Sequence, residues 1–318
     1  MASPNLSEIV TTTLRSRTGK LADNVTKNNA LLNRLKRKGN IKPVSGGRTI
    51  VQELEYAENS TYIRYSGYQT LDISPSDVMS AAEFDWKQAA VAVSISGLEE
   101  RINSGSEQVI NLLEGRIKNA ERTMANNISL DCYSNGTASG GLQIGGLQLL
   151  VADTPTNTVG GINRTLWTFW KNQVLSTGTI TSSTIQDLMN RTYVKCIRGR
   201  DKPDLIITDD TLWTLYLASL QTIQRITRTD EASAGFMELK YMGADVVLDG
   251  GIGGGCPADH MYFLNSDYIH FRPHTAMNFA PMGPERFSTN QDAMVKLIGF
   301  QGNMTLSNGS LQGVLFET

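Results

Sequence analysis

The stretch "LEERINSGSEQVINLLEGRIKNAERTMANNIS", Leu98 to Ser129, constrains this chain more than any other. Leu98, Ile102, Val109, Leu113, Ile117, Ala120, Met124 and Ile128 fall on one helical face. About thirty residues at a rise of ~1.5 Å make a rod of roughly 45 Å. Gly105 and Gly115 each weaken it by roughly 1 kcal/mol relative to alanine, so packing has to hold it together. A rod that long needs a long partner surface. It reads as a scaffold strut, not a site.

Before the rod, Ile50, Leu54 and Tyr56 alternate in "RTIVQELEY", and "EFDWKQAAVAVSIS" (Glu83 to Ser96) is a second extended candidate. Between them, residues 57–82 carry Tyr62, Tyr65, Tyr68 and Pro75. A loop of that length without structure is uncommon in a compact domain and is usually functional. A two-stranded hairpin needs a further layer to be stable in water. An arm lying on a neighbouring molecule and a meander within the chain's own sheet both fit.

Further upstream, residues 1–45 hold nine Lys or Arg against Glu8 and Asp23, so the segment is +7 and the rest of the chain −9 within a net charge of −2. Such asymmetry suits an arm that meets an anionic surface, and it equally suits a solvated helix end in "NRLKRKG". Ser3 and Pro4 predict one helix start. Leu21, Val25, Leu32 and Leu35, with Gly39 as stop, predict a second helix too thin in apolar surface to stand alone.

Beyond the rod, helix and strand patterns alternate from about Leu147 to Gly255. Helical "SSTIQDLMNRTYVKCIRG" precedes strand "DLIIT", helix "DDTLWTLYLASLQTI" and strand "ADVVLD". After Asp259 the pattern turns to strands: "HMYFLN", "YIHFR", "AMVKLIGF" and "MTLSNGSLQGVLF", with Asn308-Gly309 as a hairpin signal. The fold class expected is α+β with intertwined lobes.

The 318 residues suffice for one large or two ordinary domains, and 40% hydrophobic with 19% charged residues excludes a disordered chain. No apolar run approaches the ~18 residues of a membrane span, and the N-terminus lacks a secretory layout, which implies cytoplasmic synthesis. Cys132, Cys196 and Cys256 are far apart and odd in number, as expected of small buried apolar residues.

Three stretches invite a chemical reading. Asp209-Asp210 follows a strand, but a phosphate-transferring site would want Asp-x-Asp; Asp209 sits where a helix cap belongs. The run "DGGIGGGCPADH" lacks both Gly-Lys-Ser/Thr and G-x-G-x-x-G, and reads as a flexible loop. His260, His270 and His274 lack zinc-protease spacing, since Pro273 interrupts the last pair. Trp167, Trp170 and Trp213 read as core residues. No catalytic, metal or cofactor site is expected.

"GGINRTLWTFWKNQV", "KPDLIITDDTLWTLY" and "NQDAMVKLIGFQGNMTLSNGSLQGVL" resemble stretches of tailed-bacteriophage major capsid proteins of the Hong Kong 97 type. The order of basic arm, long hairpin, strut helix, α/β lobe and strand-rich tail resembles that family over nearly the whole chain. The resemblance implies an N-arm at 1–45, an E-loop hairpin at 46–96 and a spine-helix P-domain at 97–146. An α/β A-domain at 147–272 and the P-domain's C-terminal strands at 273–318 would follow. It implies a non-enzymatic shell protein without cofactor, assembling with itself into hexamers and pentamers in the virion after synthesis in the host cytoplasm. The partners implied are packaged double-stranded DNA, a portal protein and a separate scaffolding protein, with no membrane. Tyr62, Tyr65 and Tyr68 would anchor the E-loop on a neighbour, and Arg34, Lys36, Arg37 and Lys38 would face the lumen. Some relatives cross-link an E-loop lysine; this chain has none between Lys42 and Lys87, which predicts non-covalent locking. An encapsulin-like compartment is the near alternative, and an α/β enzyme using Asp209 and Asp210 the distant one.

Overall fold

The computed structural model describes residues 29–97, 106–220, 238–250, 254–283, 286–287 and 292–318. The helix starting at Ser3, and Leu21, Val25, Leu98, Ile102 and Gly105, lie outside them.

Three apolar leucines build the first helix, α1 (Ala30–Lys38). The Asn29 side chain accepts from the Leu32 amide and starts it, while Gly39 at φ 73° ends it, with the Asn40 amide bonded to the Leu35 carbonyl. Leu31, Leu32 and Leu35 are fully buried, so the surface this thin helix needs is supplied by its own chain.

β1 (Ile50–Glu55) and β2 (Met79–Phe84) form an antiparallel hairpin joined by the long loop. Ile50, Leu54, Ala82 and Phe84 are buried on one face, while Val51, Glu53, Glu55 and Met79 are exposed. The second extended candidate is therefore two strands. After a break at Asp85 and Trp86, β3 (Lys87–Ser96) leaves the hairpin for another sheet. Asn303 holds the break by donating to the Asp85 carbonyl, and the Trp86 indole donates to Gly47.

The strut is α2 (Ser106–Asp131), about 39 Å long for its 26 residues. Ile117, Ala120, Met124 and Ile128 are buried in the main core, as their spacing predicts. The helix packs on β3.

The α/β lobe is a six-stranded sheet. Its strands are β4 (Gln173–Thr177), β5 (Leu205–Thr208), β6 (Glu238–Tyr241), β7 (Ala244–Leu248), β8 (His260–Leu264) and, last in the chain, β11 (Gly313–Glu317). Their spatial order is β4-β11-β8-β5-β7-β6. α3 (Ile185–Lys195) and α4 (Asp210–Ser219) cover one face through Met189, Tyr193, Leu212 and Trp213, against Ile206, Met261 and Phe263. Leu205, Ile207, Tyr262 and Leu264 point the other way, into the core shared with α1 and α2. Burial on both faces explains why these strands read as unbroken apolar runs.

β9 (Ile269–Pro273) and β10 (Ala293–Leu306) belong to the second large sheet. β10 pairs with β3 on one side over ten residues. On its other side lie β9 and the short strands Ala280–Pro281 and Arg286–Phe287.

The strand-rich tail thus divides. β10 completes the sheet beside α2, but β11 crosses into the α/β lobe, between β4 and β8. Asn308-Gly309 is consequently a corner between two sheets, not a hairpin turn. A Cβ on Gly309 would stand 2.3 Å from the Trp170 carbonyl oxygen, so close backbone approach explains the glycine. β9, placed by sequence at the end of the α/β lobe, pairs instead with β10.

Candidate functional site

Asp209 lies at the end of β5, buried to 1% exposure. Its Oδ1 accepts from the Leu212 amide at 3.0 Å and its Oδ2 from the Asp259 amide at 2.7 Å. Burial pushes this carboxyl up, against the pull of those amides. Both oxygens serve the backbone, and Asp210 is exposed in the first turn of α4. The pair starts a helix. The glycine run beside it is close-packed at its described ends rather than slack: a Cβ on Gly250 would meet the Asp209 backbone, and one on Gly255 the Tyr133 ring.

The histidines are dispersed. His260 bonds Asp153 at 3.1 Å and the Ala258 carbonyl at 2.6 Å. His270 is buried next to Arg272, and burial together with the Arg272 and Lys42 charges holds it down at about 4. His274 sits edge-on to Trp86. Among the described residues no three His, Cys, Asp or Glu side chains converge as metal ligands. All three cysteines are buried and unbridged.

Two other surfaces stand out. The first is the β1–β2 loop, where Tyr62 is 75% and Tyr65 62% exposed, Tyr68 fully so, and Ile73 92%. Asx turns at Asn59 and Asp72 shape the loop without burying it. Arg64 stands over the Tyr62 ring, 5.6 Å from its centroid. The loop presents an apolar surface that nothing among the described residues covers.

The loop's root is built by the stretch "GGINRTLWTFW". Gly160 accepts from the Glu83 amide, and its φ of +58° and missing Cβ let Ala82 and Phe84 pack on it. Arg164, fully buried, donates to the Leu149 and Leu150 carbonyls and to Asn172, anchoring the stretch to the core. Burial lowers its pKa to about 10. Trp170 and Trp213 are core residues, as expected; Trp167 is half exposed and packs on Tyr56 at the loop's root.

The second surface is the end of α1. Arg34 donates to Asp204 and to Asp245 at 3.0 Å, and Lys38 donates to Asp267 at 2.9 Å and faces Asp204 at 3.3 Å. Burial would push the Asp204 carboxyl up, but hydrogen bonds from Ser266 and the charges of Arg34 and Lys38 outweigh it and hold it below the carboxylate range. Asn29, at the other end, donates to Ser129 on α2. Arg34 and Lys38 are therefore clamps within the chain, which local sequence could not reveal because their partners lie some 170 to 230 residues away. Lys36 and Arg37 are exposed.

Compared with known proteins, the chain matches no family model and no curated protein sequence. Solved structures do match it. A chain of the cyanophage A-1(L) capsid superposes with TM-score 0.61 at 14% identity, covering 87% of this chain and 90% of that one. A chain of the satellite phage P4 procapsid gives 0.55 at 13% identity, over 100% and 92%. The fold is that of Hong Kong 97-type phage capsid proteins. The SrpI encapsulin of Synechococcus elongatus PCC 7942 shares it, with TM-score 0.56 at 9% identity over 86% and 83%. No helix among the described residues is long and apolar enough to cross a membrane.

Proposed function

We propose that this chain is the major capsid protein of a tailed phage, a non-enzymatic protein that assembles into hexamers and pentamers of an icosahedral shell around double-stranded DNA. The observation that carries this reading is the E-loop: a chain with a capsid fold over most of its length holds out tyrosines and isoleucines that its own core leaves uncovered. Burying them on a neighbour would drive association, and many weak contacts add in a closed shell.

The parts are the N-arm 1–45, the E-loop 46–96, a P-domain of 97–146 with 269–306, and an A-domain of 147–268 joined by Gly313–Glu317, since β9 pairs with β10 and β11 with β4 and β8. Tyr62, Tyr65 and Tyr68 anchor the loop non-covalently on the next subunit. Lys36 and Arg37 face the lumen, with Arg34 and Lys38 holding the helix that displays them. The further partners are a separate scaffolding protein and a portal.

Electron microscopy with light scattering, on the chain alone and co-expressed with neighbouring reading frames, tests the proposal. Rings, tubes or shells are expected, and a monomer under both conditions counts against it. The encapsulin likeness supports a second reading, a compartment for protein cargo; native shells holding enzymes instead of DNA decide for it.

A further inference from the structure

Tyr56, Trp167 and Phe169 form a cup at the root of the E-loop. Tyr56 and Phe169 stack with centroids 5.6 Å apart, and Trp167 stands edge-on to both at 6.0 Å. With Asp77, Met79, Ser80 and Ile162 they line an open cavity of about 260 Å³. Asp77 lines the cavity together with Tyr56, which places a carboxylate beside the aromatic faces. Trp167 stays 50% exposed and Leu166 beside it 74%, so the cup is open to a visitor. Aromatic faces next to a carboxylate are the chemistry that holds a guanidinium.

We propose that this cup receives the Arg64 side chain of a second copy of the chain. The inference rests on the shell reading above and names the residue and its receptor. Between Thr49 and Trp86 the sequence carries seven acidic residues and one basic residue, Arg64. Two such loops repel unless Arg64 of one meets the acidic root of the other. Arg64 lies among the exposed Tyr62, Tyr65 and Tyr68, already held over the Tyr62 ring, and is not among the residues lining its own cup. Contact of tip to root is heterologous, so repeating it builds a ring where the rotation between copies closes.

The test is a charge-swap cycle on particle yield, measured by sedimentation and light scattering. Arg64→Glu and Asp77→Arg should each lower the yield by about tenfold or more, and the double variant should recover most of it. Both positions are exposed, so the unassembled variants should keep the wild-type circular dichroism and thermal midpoint. In particles assembled from a mixture of R64C and D77C chains and oxidised by air, a mixed disulfide should form, with the buried native cysteines not competing for it. Wild-type particles whose single variants assemble normally, whose double variant recovers nothing, or whose mixed disulfide never forms overturn this proposal alone. Loss with Asp77→Arg but not Arg64→Glu assigns the cup to another cation and likewise overturns it. A wild-type chain that never assembles overturns the shell reading and this proposal with it.

Discussion

Arg34 reaches 211 residues along the chain to Asp245, with Nη1 3.0 Å from the carboxylate. The same guanidinium bonds the Asp204 side chain and backbone carbonyl, so one fork joins the arm helix to two neighbouring strands' ends. That geometry needs arginine; an ammonium cannot span three acceptors in one plane.

Replacing Arg34 with Ala takes one cation from two largely buried carboxylates, which keep Lys38 and Lys240 as partners, and should cost about 2 kcal/mol. Arg34→Lys should recover less than half of it. Urea denaturation of the unassembled chain measures both values.

Acid should loosen the fold through His270. Its pKa in the folded chain is depressed to about 4, so the neutral form is favoured there. The associated stability is present above the unfolded value of about 6.5 and is lost as pH falls towards 4. Between pH 7 and pH 5 the loss should be on the order of 1–2 kcal/mol. His270→Asn should flatten that slope in thermal melts taken across the range. Asp204, held below the carboxylate range, contributes a further loss only at lower pH still, as acid reaches its folded pKa.

Asp209→Ala leaves the Leu212 and Asp259 amides without acceptors. It should cost roughly 2–3 kcal/mol, the lost cap plus a second orphaned donor. Asp209→Asn should cost less, as it keeps one acceptor oxygen. Phosphatase and nucleotidase turnover should be at background in wild type and both variants. Metal-dependent turnover in wild type, abolished by the Asn variant, would revive the enzyme alternative.

Changing Tyr62, Tyr65 and Tyr68 together to Ser should leave the monomer's thermal midpoint within about 1 °C, because the rings touch little in their own chain and surface changes are worth less than ~0.5 kcal/mol. Particle formation should fail. Electron micrographs showing normal shells would remove the three rings from the interface.

Local chemistry made much of this fold legible. Asn29 and Gly39 bracket α1, Asp209 starts α4, and Ile117 to Ile128 mark the buried stripe of α2. What stayed hidden was which distant element each segment meets. Nothing local to Asn308-Gly309 says that the strands on either side join different sheets. Nothing around Arg34 announces Asp204 or Asp245. Trp167 and Trp170 differ by three residues, yet one is buried and the other half exposed, because the 3-10 turn between them ends at the loop's root. The loop's length was legible and marked it as unusual, but an arm on a neighbour and a meander within the sheet both fitted it; only the fold shows Tyr62, Tyr65 and Tyr68 exposed.

The placement of β11 has a consequence for when the subunit becomes competent. Gly313–Glu317 fills a slot between β4 and β8, whose residues leave the ribosome well before it. Until it arrives, β4 has no neighbour in the sheet and β8 shows a bare apolar edge. The lobe therefore closes only once Gly313–Glu317 has been made, and a chain cut short before Gly313 cannot complete that sheet.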